Sequence, residues 1–378
     1  MKERDCARGF LPEENGIRLT PEEKELSDRI IEIYARFGVK IEALTGVLSG
    51  PRVTRFEFQV APDTKISKIT KLRDDISLML SVPKVRLICP LPGKNAFGIE
   101  VPNGAEGAVS FDEVFTSGAF AGSSDPLCVV LGKNLSGGSV CLGLSKAPHI
   151  LIGGQAGSGK TTILKNMIVS LICNTTPSQV KLLLVDSQKQ AFDDFKTADH
   201  LLEPVIYDPQ AAIDRLNRLC EECVRRYQLF QTHLVKNIDA YDQAAPQTLP
   251  RIVVFIDEMA PLTKHSLRDF ELAVSRIAQI GRAAGIHIVL ATSDLTSKNI
   301  TGILKANIPT RIALSTQTPM ESRTIMDSCD AECLLLKGDM LLCDIMLNKP
   351  QRIQAAYLSK EQIENKLKTY SDGTSKHK

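Results

Sequence analysis

Gly154-Gln155-Ala156-Gly157-Ser158-Gly159-Lys160-Thr161 is the stretch on which the reading of this chain turns. It has the G-x-x-x-x-G-K-[ST] spacing of a phosphate-binding loop. The apolar run Ile150-Leu151-Ile152 precedes it, and Ile163, Met167, Ile168 and Leu171 follow at helical spacing. A strand, a glycine-rich turn and a helix in that order let backbone N–H groups wrap an anion at the positive end of a helix. Lys160 then reaches the β- and γ-phosphates, and the Thr161 hydroxyl, with Thr162 beside it, faces Mg²⁺. The competing reading is an ordinary strand–helix turn, which would have no need of Lys and Thr at its end. The stretch predicts a nucleoside triphosphate site, for ATP with Mg²⁺, in which residues 154–162 bind the nucleotide.

Outward from the loop, further uninterrupted apolar runs appear: Leu182-Leu183-Leu184-Val185, Ile252-Val253-Val254-Phe255-Ile256 and residues 286–290. Such runs fit parallel strands covered on both faces. Helical patterns over 211–230 and 267–284 lie between them. Alternating strand and helix predicts a doubly wound α/β domain. Asp257-Glu258 ends one of these strands. A carboxylate there is the expected second Mg²⁺ anchor, and Glu258 beside it can orient or deprotonate a water. Leu135-Ser136-Gly137-Gly138-Ser139 imitates the signature loop of transporter ATPases. It precedes the phosphate loop instead of following it, so a hairpin turn is expected between 129–131 and 140–142.

Residues 1–120 read as a smaller α+β domain. Thr20-Pro21-Glu22-Glu23 is a capping box with Pro in the first turn, and Leu26, Ile30, Ile31, Ile33, Tyr34 and Phe37 form an apolar helical face ended by Gly38. Residues 53–60 alternate as a strand with one wet face, 66–80 return to helical spacing, and 85–89 and 97–101 read as short strands. The small, Gly-rich stretch 116–126 is expected to be a linker, which leaves 121–370 for the doubly wound α/β domain and 369–378 for a loose polar tail.

The 378 residues are 43% hydrophobic and 24% charged, with a net charge of +2. Bulk charge therefore offers no case for nucleic acid. No apolar run approaches the roughly 20 residues of a membrane span, and 1–10 lack the apolar core of a signal peptide. A cytoplasmic location with reduced thiols is expected. The one CxxC, Cys220 and Cys223, lies in a helical stretch without a second pair at zinc spacing.

The ordered segments of the chain resemble the FtsK/SpoIIIE family of DNA translocases. In the first half these are 50–58, 65–69 and 98–103. In the second they are 148–152, Asp257-Glu258, 282–287, 300–313, 322–325 and 337–341. The resemblance implies a RecA-like P-loop NTPase domain with a smaller N-terminal α+β domain. It implies a hexameric ring of the chain around double-stranded DNA, with ATP between subunits. Arg282 then stands at the arginine-finger position, where its guanidinium can offset charge on the transferring phosphate. By residue type alone it is a helix C-terminal Arg facing the macrodipole. Lys298, Lys305 and Arg323 are the DNA-facing candidates. Where the family has Thr-Gln-Arg-Pro, this chain has Thr292-Ser293-Asp294-Leu295, and Pro319 replaces a loop lysine. No segment matches the family's membrane anchor or its winged-helix reader, so direct base readout is not expected. The implied function is ATP-driven, sequence-independent translocation of duplex DNA. The alternative is an ATPase-fold scaffold that has lost its track. A protein-secretion ring motor is disfavoured by the N-terminal unit and by 300–313.

Overall fold

The structure, a computed structural model, describes residues 13–14, 17–104, 107–344, 346–347 and 349–371. The charged stretch 1–10 and most of the expected tail, 372–378, lie outside them. The described residues fall into two units. One runs to Gly107 and includes Leu135–Gly138, and the other comprises Ala108–Asn134 with Ser139 onward.

In the first unit the elements are β1 (Glu13–Glu14), β2 (Ile17–Arg18), α1 (Pro21–Arg36), β3 (Ile41–Ser49), β4 (Val53–Val60), α2 (Ile66–Lys71), α3 (Arg73–Leu80), β5 (Arg86–Ile88) and β6 (Phe97–Pro102). The capping box forms as expected: the Glu23 amide donates to Thr20 Oγ1 at 3.2 Å, and the Thr20 amide to Glu23 Oε2 at 2.8 Å. An antiparallel sheet of order β3-β4-β6-β5 packs Phe56, Phe58, Phe97 and Ile99 against Ile30 and Tyr34 of α1. The helical spacing over 66–80 resolves into two helices, broken at Leu72. The face of β4 expected to be wet is in part closed. Glu57 is buried, and Arg55 and Arg86 both pair with the buried Glu100, since β4 and β6 are central strands.

The second unit continues with β7 (Val109–Ser110), α4 (Phe111–Phe115), α5 (Gly118–Ala121), β8 (Cys128–Asn134), β9 (Ser139–Gly143), β10 (His149–Gly153), α6 (Lys160–Asn174), β11 (Val180–Val185), α7 (Pro209–Thr232), α8 (Ile238–Ala244), β12 (Arg251–Ile256), α9 (Ala260–Ala284), β13 (Ile286–Thr292), α10 (Gly302–Asn307), β14 (Thr310–Leu314), α11 (Pro319–Met326), β15 (Asp339–Cys343), β16 (Gln351–Tyr357) and α12 (Lys360–Ser371). Among the described residues these strands form one sheet of order β11-β12-β13-β10-β14-β15-β16-β8-β9, with β7 beside β16. From β11 to β14 every pairing is parallel.

The apolar runs alternate between two cores. Ile150, Ile152, Leu182, Leu184, Val253 and Phe255 face the core of α6, whereas Leu151, Leu183, Val185, Ile252, Val254 and Ile256 face that of α7 and α9. Both faces are covered, which is why these strands lack polar alternation. Loop 135–138 is the expected hairpin turn between antiparallel β8 and β9.

The linker reading of 116–126 is corrected. Phe120 lies buried on α5, its ring 4.4 Å from that of Phe115, and both belong to the α6-side core. Small residues there allow tight helical turns around an anchoring aromatic. The units instead divide between Gly107 and Ala108, so 108–120 belong to the second unit and not to the first.

Candidate active site

The phosphate loop joins the C-terminal end of β10 to α6, at the centre of the parallel strands, where β13 and β14 flank it. Ligands of open α/β sheets gather at such carboxyl ends. Gly157 and Gly159 take φ of 74° and 114°, in the left-handed region, where a side chain would be strained. A Cβ on Gly159 would also lie 2.9 Å from the Gly338 amide. The loop is braced from two sides. Gln155 donates through its backbone to the Ser315 carbonyl (2.9 Å) and through Nε2 to Ser315 Oγ (3.1 Å), and Gly338 donates to the Ser158 carbonyl (2.7 Å).

The residues present fit a nucleoside triphosphate. The first bond closing α6 runs from Ile163 to the Gly159 carbonyl. Among the described residues, the amides of Gly157, Gly159, Lys160 and Thr161 have no acceptor. These are the donors a phosphate chain would take. Lys160 Nζ rests on the carbonyls of Gly154 (2.7 Å) and Gln155 (3.1 Å), with no carboxylate bonded to it. Burial pushes its ammonium below the usual lysine range, while the charges of Glu258 and Asp257 pull the other way. A half-buried cation that, among the described residues, bonds only to carbonyls suits a ligand that brings its own negative charge.

Thr161 Oγ1 donates to Asp257 Oδ1 at 2.9 Å, which joins the loop to the end of β12. Burial raises the Asp257 carboxyl, and the charges of Asp186 and Glu258 add to that, against the Thr161 bond. A carboxylate so crowded by negative charge suits a divalent cation, with Thr161 and Asp257 as its protein ligands.

Glu258 is buried beside Asp257 and is held by four donors. Oε1 accepts from Thr292 Oγ1 (2.6 Å) and the Ala260 amide (3.2 Å). Oε2 accepts from the Ser293 amide (2.8 Å) and Ser293 Oγ (2.6 Å).

Arg282 stands apart. It lies exposed in the last turn of α9, its Nε donating to the Ser145 carbonyl at 3.2 Å. It precedes β13 and the phosphate loop follows β10, and these strands are parallel. The two therefore lie at opposite ends of the parallel strands, roughly 16 Å apart for five strand residues. Arg282 cannot serve the site of its own chain.

The three cation candidates differ. Lys298, in the loop after β13, and Arg323, on α11, are exposed, and among the described residues no ion pair engages either. Lys305 on α10 is tied to Asp327 Oδ1 at 2.6 Å, and Arg311 pairs with the other oxygen. Asp294 caps a turn, accepting from the Thr296 amide (3.3 Å) and hydroxyl (2.8 Å). Pro319 is the first residue of α11, after a Thr318–Glu321 capping box. Cys220 and Cys223 are buried on α7, and Cys220 Sγ donates to the Ala273 carbonyl.

One acidic residue of the site is not singled out by any sequence motif. Asp186 follows β11, is fully buried and accepts from the amides of Ala191 (2.8 Å) and Phe192 (3.2 Å) through Oδ2. It neighbours Asp257, since Val185 pairs with Ile256. The signal that could find it is an Asp after an apolar run, the same pattern that singles out Asp257.

A family model described as the FtsK/SpoIIIE family matches residues 111–307, and one described as the FtsK alpha domain matches 12–103. The chain is 40% identical over 354 residues to the DNA translocase FtsK of Caldanaerobacter subterraneus, covering 93% of this chain and 50% of that protein. It is 42% identical over 348 residues to the DNA translocase SftA of Bacillus subtilis, covering 91% of this chain and 36% of that one. It thus spans about half the length, or less, of these relatives. Among solved structures, the pCW3 conjugation coupling protein TcpA with ATPγS superposes with a TM-score of 0.63 at 22% identity, covering 92% of this chain and 99% of that one. The Thermomonospora curvata type VII secretion ATPase EccC superposes with a TM-score of 0.59 at 20% identity, covering 70% and 34%. These likenesses establish the fold, a P-loop ATPase domain with a smaller α+β domain. Among the described residues no helix is long and apolar enough to cross a membrane.

Proposed function

The chain belongs to the FtsK/SpoIIIE family, and from that premise we propose that it is an ATP-hydrolysing motor that moves on duplex DNA without regard to sequence, as a hexameric ring of its own copies. The observation that carries the catalytic half is the 2.9 Å bond from Thr161 to Asp257, which holds loop and carboxylate in one site. Lys160 and the loop amides cradle the phosphates. Thr161 and Asp257 would hold Mg²⁺, which when bound would supply Lewis-acid polarisation of the phosphate oxygens. Glu258 orients the attacking water and takes its proton. Arg282, out of reach of its own loop, serves the site of a neighbouring subunit.

The DNA half rests on Lys298 and Arg323, the two of the three candidates that are exposed and, among the described residues, in no ion pair. Few charges per subunit suffice if a ring gathers them around one duplex, because weak contacts then sum. The alternative, a family member that keeps the ATPase and has lost its track, draws support from Asp327, which neutralises Lys305. The deciding experiment is ATP turnover by the whole chain, with and without duplex DNA, at low and high salt. Stimulation by unrelated duplexes that fades with salt is the expected result. A rate indifferent to DNA would leave the scaffold reading in its place.

A further inference from the structure

The geometry points to Ser293 as a positioning residue that latches Glu258 in a resting pose, so that the loop after β13 governs when the base can act. The inference rests on the reading of Glu258 as the base.

A carboxylate has about four lone-pair positions, and all four on Glu258 are taken. Thr292 Oγ1 and the Ala260 amide occupy one oxygen, and the amide and hydroxyl of Ser293 occupy the other. A base so engaged has no position left to accept a proton from water. Three of the four donors cannot be spared without rebuilding the fold. Two are backbone amides. The third, Thr292, has its proton direction set by its surroundings: its oxygen accepts from the Asp294 amide (3.1 Å) and Asn299 Nδ2 (2.9 Å), so its single hydrogen must go to Glu258. The Ser293 hydroxyl is the one donor free to rotate away. Serine is also short, so its Oγ reaches no further than the carboxylate beside it.

The latch is joined to an exposed cation through one short loop. Ser293 opens the segment that carries the exposed Lys298. Asn299 closes that segment, bonding Thr292 Oγ1 and the Asp294 carbonyl through Nδ2 (2.9 Å each) and accepting from Thr263 through Oδ1. An anionic polymer drawn to Lys298 would pull on the element that holds Glu258. Release of the Ser293 hydroxyl frees one lone pair on Oε2 for water. The duplex would thus be sensed at the base itself.

The test uses the whole chain and three proteins: parent, Ser293→Ala and Ser293→Thr. The readings are kcat and KM for ATP, each with and without duplex DNA. Ser293→Ala should raise the DNA-free kcat by about three- to tenfold, the worth of one net hydrogen bond in a rate. KM should stay unchanged, and the stimulation by duplex should shrink. Ser293→Thr keeps the hydroxyl and should keep the parent's low DNA-free rate. A DNA-free kcat for Ser293→Ala at or below the parent's overturns the latch, as does silence in both proteins. An equal rise in Ser293→Thr overturns it too, because a loosened loop would then be the cause. The outcomes separate from those of the translocase reading. A parent deaf to duplex whose Ser293→Ala form still gains DNA-free rate keeps the latch and loses the track. A parent stimulated by duplex whose Ser293→Ala form is unchanged does the reverse.

Discussion

Thr161 and Asp257 are 96 residues apart in the chain, yet they meet at 2.9 Å because each ends or follows a buried parallel strand. Lys298, Lys305 and Arg323 are much closer in sequence and share no such frame. Two are exposed and, among the described residues, in no ion pair, and the third is bonded to Asp327. The nucleotide end is fixed by the sheet, whereas the cation end depends on which surface charges find a partner. Buried groups must be satisfied by the fold, so their arrangement follows from sequence pattern. Exposed ion pairs are worth little, so theirs does not.

The strongest break in that comparison would come at the nucleotide end. Lys160→Ala removes the loop's cation, and Glu258→Gln keeps the shape of the side chain but cannot accept a proton. Each should lower kcat by at least about a hundredfold. Glu258→Gln should still bind ATP, measured with a fluorescent analogue. Near-parental turnover in Lys160→Ala would mean that the fold frames some other ligand.

Arg282 tests whether the frame extends beyond one chain. Arg282→Ala alone should bind ATP and turn it over slowly, by the thousandfold or so that an arginine finger contributes. Mixing it with Lys160→Ala subunits, under conditions of exchange, should restore part of the rate, since a shared site would have one intact loop and one intact guanidinium. No gain on mixing would leave Arg282 as a helix-end residue bonded to Ser145.

The same contrast explains how much of the molecule is legible in its sequence. The phosphate loop is legible because its glycines, Lys160 and Thr161 act through backbone geometry local to one turn. Asp257 and Glu258 are legible because an apolar run names the strand they end. Asp186 ends a run of the same kind, but no motif attaches to it. The stretch 116–126 reads as a linker because composition weighs Gly and Ser against a single Phe, whereas packing gives Phe120 the decisive role. Of the antiparallel extension β15-β16-β8-β9 the sequence shows only the β8–β9 hairpin; the pairing that joins it to the rest, β16 against β8, brings Ile353 to Asn134, and no local pattern records it. Lys305 reads as a free cation because its partner, Asp327, is 22 residues away and no local spacing joins the two.

A milder effect is expected at the other end of the parallel strands, where His149 begins β10 and His287 lies in β13. Burial pushes His149 down to about 3, with repulsion from the His287 ring were both to charge, and His287 down to about 4, further lowered by the Arg251, Arg282 and Arg226 guanidiniums. Both rings are therefore neutral when folded, while the unfolded chain takes up protons near pH 6.5. Their contribution is whole above that value. It is lost as pH falls from about 6.5 towards 4, by about 1.4 kcal/mol per ring for each pH unit. Urea midpoints at pH 7, 6 and 5 should fall less steeply for His287→Gln than for the parent. Parallel slopes would show that His287 titrates as it does in the unfolded chain.

The smallest expected effect is the most informative about the cation end. Burial works against the Asp327 carboxylate, but its bonds to Lys305 and Arg311 hold it below the usual carboxylate range, so it is charged at neutral pH. Asp327 adopts φ of 60° at the end of α11, a conformation that asparagine tolerates well. Asp327→Asn therefore removes the charge and spares the backbone, including the 3.0 Å bond from its amide to the Arg323 carbonyl. Arg311 is mostly buried and keeps a second acceptor, the Ile325 carbonyl at 3.1 Å, so Lys305 is the cation set free. Asp294→Arg is a poorer probe, because it would also undo the turn that Asp294 caps. If α10 faces the duplex, Asp327→Asn should bind it more tightly. The plot of log affinity against log salt should steepen by about 0.9 for each additional phosphate neutralised. Adding Lys305→Ala should return the slope to the parent's. A slope unmoved by Asp327→Asn would place Lys305 away from the polymer and leave the grip to Lys298 and Arg323.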